Sequence, residues 1–216
     1  MFPLGSVSRP LSIVPIVTVL IILINAGVFY LELTQGEPFI RRWAVTPAEV
    51  AQQRQHLETI ITAMFMHGGW MHIIGNMVFL WSFGPQMEAA MGPIRYLIFY
   101  LLGGIAAFAA QIFADPSSTI PNLGASGAIA AVMGGFLVTY PRDQIRTLIV
   151  AGVFTRIVYL PALLLIGIWF ALQVASVTFE QQPEGEAASG GVAYLAHIGG
   201  AIFGAVTAKL FERRGG

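Results

Sequence analysis

The chain has 216 residues, of which 56% are hydrophobic and 10% charged. A soluble domain carries about a quarter charged residues, so this composition points to a membrane-embedded chain with no sizeable soluble domain. Eleven basic and eleven acidic residues cancel without a basic stripe suited to nucleic acid, and the absence of cysteine excludes disulfides, thiolate nucleophiles and cysteine-built metal sites.

A spanning helix needs roughly 20 mostly apolar residues. The long apolar stretches predict six of them, at about 11–31, 69–90, 94–113, 125–140, 161–179 and 192–210. The expected architecture is all-α: one polytopic membrane bundle over residues 1–216. The first apolar run is longer than the about 7–15 residues of a signal-peptide core and no small-x-small cleavage pattern follows it, so a retained anchor is expected. The connection over about 33–68 mixes Trp43, Pro47 and the charged stretch "AEVAQQRQHLE", and is expected to lie on the outer interface. The segment "RDQIRTLIVAGVFTRIVYLP" alternates basic and apolar residues between Pro141 and Pro161, and is expected to lie on the inner surface before the fifth helix.

Basic residues set the orientation. With both termini inside, the inner side collects Arg9, Arg95, Arg142, Arg146, Arg156, Lys209, Arg213 and Arg214, against Arg41, Arg42 and Arg54 outside. Without a transit-like leader, the expected host is the bacterial plasma membrane. No internal repeat is found, and no charged pair in a helix core marks a transported ion's path.

Several polar residues interrupt the apolar helices. On the second helix His72 and Asn76 are four residues apart and share a face, while His67 lies five before His72 and points elsewhere. Such side chains can simply hydrogen-bond between helices. In "PNLGASGAIAAVMGG", Pro121 and Gly124 predict irregular backbone ahead of a helix starting near Ser126. A serine there can be an N-cap. It can equally be a nucleophile, because first-turn N–H groups are free to donate to an oxyanion, and Gly124 and Gly127 let a substrate backbone approach. Ser126, Ala130 and Gly134 form a small-residue stripe suited to close packing, and Gly200 and Gly204 make a matching GxxxG face on the sixth helix beside His197. A neutral histidine can activate a serine. No acidic residue lies in the apolar cores of these two helices, so a hydrolase built here uses a dyad. A metal site made of His67, His72 and His197 would lack both HExxH spacing and an acidic partner, so no metal or cofactor is expected.

These elements, in this order, resemble the rhomboid family of intramembrane serine proteases. "HGGWMHIIGN" is similar to the family's H-x4-H-x3-N element, "GASGA" to its GxSG nucleophile motif, and "AHIGGAIFG" to its AHxxGxxxG motif. The resemblance covers nearly the whole chain. It implies a serine endopeptidase that cuts membrane-protein substrates near the outer membrane boundary, with Ser126 as nucleophile and His197 as general base. It implies an oxyanion hole made of Ser126 N–H, His72 and Asn76. It also implies a structural role for His67 at the mouth of the site, and for Glu88 in "EAAMG", which in the family buttresses the third helix. The loop "EQQPEGEAASGG" after the fifth helix is read, with that helix, as a gate. Two departures stand out: Glu58-Thr59 occupies the place of a frequent Trp-Arg pair, and Ala130 stands where many members carry an aromatic residue. A catalytically silent rhomboid-like protein that binds membrane clients is the alternative.

Overall fold

The computed structural model describes residues 2–7, 13–53, 56–151, 154–179 and 194–213. The expected gate loop after the fifth long helix lies outside these residues. The chain opens with strand β1 (Phe2–Ser6), followed by the long helix α1 (Ile16–Gln35). Helices α2 (Glu37–Trp43), α3 (Pro47–Gln53) and α4 (Thr59–Thr62) and a 3-10 turn at Ala63–Phe65 make up the first loop. Then come α5 (Trp70–Met91), α6 (Pro93–Ala114) and α7 (Ser126–Thr139). Strands β2 (Gln144–Ala151) and β3 (Phe154–Pro161) precede α8 (Ala162–Phe179) and α9 (Tyr194–Phe211).

All six predicted long helices have counterparts, with boundaries displaced by at most a few residues. Among the described residues, three of them, α1, α6 and α9, are long and apolar enough by length and composition to cross a membrane. Helix α5 has the length but carries His72, Asn76, Gln86 and Glu88, and α7 has only 14 residues. Both are the best-shielded helices of the bundle: Ala128–Met133 of α7 and Phe83–Glu88 of α5 are buried. Of the polar residues of α5, Asn76, Gln86 and Glu88 are buried in protein, while His72 is exposed.

The all-α expectation is corrected by a three-stranded antiparallel sheet, in the order β1-β2-β3. The segment expected to lie flat on the inner surface is a hairpin, with Arg146 opposite Tyr159 and Ile149 opposite Arg156. The reason is its residue pattern: Gln144 and Arg146 are exposed while Ile145 and Thr147 are buried, a period of two, and Ile145, Thr147, Ile149, Val150, Thr155, Ile157 and Val158 are β-branched. A helix would scatter that pattern around its axis, whereas a strand sorts it onto two faces. β1 adds to the sheet from the far end of the sequence and is tied to α5, where the Ser82 hydroxyl donates to the Pro3 carbonyl at 2.8 Å.

Glu88 also departs from expectation, since its carboxyl group reaches the first helix of the bundle. It accepts from the backbone N–H of Val17 (2.9 Å) and Thr18 (2.8 Å) and from the Thr18 hydroxyl (2.8 Å). Those N–H groups belong to the first turn of α1, where no intrahelical acceptor exists and the helix dipole favours an acid. Glu88→Ala is expected to lower stability by roughly 3 kcal/mol, because buried donors lose their only acceptor. A thermal-shift or denaturant titration in detergent checks this, with Glu88→Gln intermediate.

Candidate active site

Helices α7 and α9 pack backbone against backbone. A Cβ added at Gly200 would meet the Gly127 carbonyl, one at Gly204 the Ala131 carbonyl, and one at Gly134 the Ala201 carbonyl. The close face of α7 is thus Gly127, Ala131 and Gly134: Gly134 is as predicted, while Gly127 and Ala131 stand one residue round from the predicted Ser126 and Ala130. Ser126 and His197 stand beside this seam, where two helices this near can join them directly. His197 Nε2 lies 2.6 Å from Ser126 Oγ. His197 is 4% exposed, and its Nδ1 has no hydrogen-bond partner among the described residues. Among the described residues, no acidic side chain orients the ring. Its other support is Trp169 of α8, whose ring centroid lies 5.0 Å from that of His197.

His72 and Asn76 lie on the same side of α5, and His72 stands close to Ser126 across Gly124. The Gly68 backbone N–H donates to His72 Nδ1 at 3.3 Å, so in a neutral ring the proton resides on Nε2. A Cβ added at Gly124 would lie 3.0 Å from His72 Nε2 and 3.5 Å from Ser126 Oγ. The space between imidazole and hydroxyl is therefore open only because residue 124 lacks a side chain. Its φ of +134° also belongs to glycine. Asn76 is buried, and its Nδ2 donor has no partner among the described residues. Across the space at Gly124, His72 Nε2 and Ser126 Oγ thus face one another, and the Ser126 N–H, in the first turn of α7, has no intrahelical acceptor.

The supporting shell is built by the first loop. Val45 and Asn122 exchange backbone hydrogen bonds (2.9 and 2.7 Å), and Gly124 N–H donates to the Ala63 carbonyl at 2.9 Å. These contacts hold the irregular strand that delivers Ser126. His67 is corrected from its expected place at the mouth: it is 1% exposed, edge-on to His72 with ring centroids 5.1 Å apart. Burial, with His72 alongside, pushes its pKa down to about 3, so the ring is neutral. Its backbone N–H donates to the Glu32 carboxyl at 3.0 Å.

Glu32 and Trp169 are the two residues that sequence reasoning passed over. Glu32 was readable: Thr18, Asn25 and Glu32 recur at seven-residue intervals on one face of an apolar helix, and all three are buried. Trp169 had no such mark among the aromatics of α8.

A family model described as Rhomboid domain matches residues 54–214. The chain is 28% identical over 148 residues to presenilin-associated rhomboid-like protein A, mitochondrial, of Danio rerio, an alignment covering 67% of this chain and 35% of that protein. It is 30% identical over 118 residues to the rhomboid protease GluP of Bacillus subtilis, covering 55% and 22% respectively. With rhomboid protein 1, mitochondrial, of Saccharomyces cerevisiae the identity is 28% over 189 residues, covering 84% of this chain and 49% of the yeast protein. The chain spans at most about half the length of these three relatives. With the family model matching most of its residues, the chain belongs to the rhomboid family of membrane proteins.

Proposed function

We propose that residues 1–216 form one membrane domain acting as an intramembrane serine endopeptidase, with Ser126 as nucleophile and His197 as base. The observation that carries this reading is the 2.6 Å contact between His197 Nε2 and Ser126 Oγ, beside the space that Gly124 leaves between Ser126 and His72. His197 takes the hydroxyl proton as Oγ bonds to the substrate carbonyl carbon. The resulting oxyanion is held by Ser126 N–H, His72 Nε2–H and Asn76 Nδ2–H, each worth about 2.7–4 kcal/mol in serine proteases generally. The imidazolium then gives its proton to the departing amine as the C–N bond breaks. Water hydrolyses the acyl-enzyme by the same two proton transfers.

The substrates are membrane proteins. Every peptide bond of a spanning helix is internally hydrogen-bonded, so the scissile segment must unwind before its carbonyl can reach Ser126. That favours cleavage near the membrane boundary, where Gly68 and the connection at 115–120 are exposed on the same side as the Ser126 end of α7. We orient the bundle with both termini inside on its basic residues, which puts that opening on the outer face of a bacterial plasma membrane.

A fluorophosphonate probe tests the reading. The wild-type protein in detergent is expected to be labelled covalently, with the adduct on the peptide containing Ser126, and Ser126→Ala to be unlabelled. A folded wild-type protein that resists the probe and leaves a transmembrane substrate intact would instead be a silent client-binding member of the family.

A further inference from the structure

We infer that the β2–β3 hairpin is a docking finger for an anionic phospholipid surface. β1 covers β2 only as far as Leu148, so the strands beyond the pairing of Leu148 with Ile157 have no third strand beside them among the described residues. In this distal half Phe154 is 78% exposed, Ile157 50% and Val150 45%; Tyr159, nearer the root, is 56% exposed. Cross-strand partners share a face and faces alternate along a strand. Arg146 therefore lies with Tyr159 and Ile157, and Arg156 lies with Phe154 on the opposite face. Each exposed face pairs an aromatic ring with a guanidinium.

The charge on this segment has one sign. Arg142, Arg146 and Arg156 are exposed, with no hydrogen-bond or ion-pair partner among the described residues. The segment's one acid, Asp143, is buried and accepts from the Ser6 hydroxyl at 2.6 Å and from Gln144 N–H at 2.8 Å. A soluble partner would need matching acids. A phospholipid leaflet offers both what these side chains require, acyl chains for the rings and phosphates for the arginines, whose stems can bury while their heads reach the surface. The location agrees. The hairpin roots beside Tyr140 at the end of α7, and β3 runs into the apolar helix α8 at Pro161–Ala162 without an intervening loop. The finger stands where the chain enters the lipid, and a hold on it is a hold on the base of the helix that carries Trp169.

The cysteine-free sequence makes the test clean. Thr155→Cys in the otherwise intact full chain is labelled with a nitroxide, with Ser117→Cys at the other end of the bundle as control. Both are reconstituted in phosphatidylcholine vesicles, with and without phosphatidylglycerol. Phosphatidylglycerol is expected to shift the Thr155 label towards oxygen accessibility and away from neutral nickel chelate, leaving the Ser117 label unchanged. High salt should reverse the shift in the same protein. Each Arg→Gln change at 142, 146 and 156 should weaken docking about fivefold, on the order of a hundredfold for all three. A Thr155 label equally wet in both vesicles, or a shift that survives salt, would overturn the assignment. So would spin–spin broadening relieved by unlabelled protein, which would make the finger a contact between copies. None of these readouts depends on proteolysis, so the result stands apart from the fate of the catalytic reading.

Discussion

His197→Ala is expected to abolish cleavage of a transmembrane substrate, by a factor on the order of a million, while the protein remains folded. The size follows from how little else in the site can replace the ring. Serine is a weak nucleophile until a base takes its proton, and the acceptor nearest Ser126 Oγ is His197 Nε2 at 2.6 Å. Collapse of the tetrahedral intermediate also needs the leaving amine protonated, and the same nitrogen must supply that proton. The fold should tolerate the change because His197 Nδ1 has no partner to lose among the described residues, and the contact with Trp169 is a ring packing that a smaller side chain weakens without stranding a charge. Purified protein assayed for cleavage and for thermal unfolding separates the two effects. Cleavage retained above the background of Ser126→Ala would remove His197 from the mechanism.

What could be read from the sequence, and what could not, follows from how far each signal reaches. Ser126 and His197 were legible because each sits in a glycine frame, "GASGA" and "AHIGG", whose reason is local: open backbone before a helix and a flat helix face. The long helices were legible because hydrocarbon demands unbroken apolar length. The hairpin was harder, since alternation of basic and apolar residues suits an interfacial segment and a strand alike, and β1, which completes the sheet, lies more than a hundred residues away. Glu32 is the charge that interrupts the first apolar run, so hydropathy alone ends the first helix at Leu31. In the fold that carboxyl group faces protein and takes the His67 N–H, so the helix continues to Gln35. The partner of Glu88 was misassigned for a related reason: a buried acid announces that it needs donors, and only the packing says which helix provides them. On the close face of α7, Gly134 is as expected, while Gly127 and Ala131 stand one residue, about 100° on a helix, from the expected Ser126 and Ala130, which a stripe of small residues on its own does not resolve.

That face carries the second large effect. Gly204→Ala is expected to lower cleavage about a hundredfold, because roughly 1 Å of misplacement at a catalytic pair is enough for such a loss. The added methyl would overlap the Ala131 carbonyl oxygen, and neither backbone can yield within the seam, so α9 must move away from α7. His197 rides on α9 two turns earlier and would be drawn off Ser126. Overpacking of this kind also costs about 1–3 kcal/mol, so a lower melting temperature should accompany the loss. Val206→Ala on the same helix is the control: Val206 is 72% exposed on the far side from the seam, and its truncation should leave both rate and stability unchanged. Fluorophosphonate labelling of Ser126 should slow in Gly204→Ala in step with cleavage, since both depend on the proton acceptor being in reach. Unchanged labelling with impaired cleavage would mean that the seam governs substrate entry, and full retention of both would mean that the approach of α7 to α9 is not what assembles the pair.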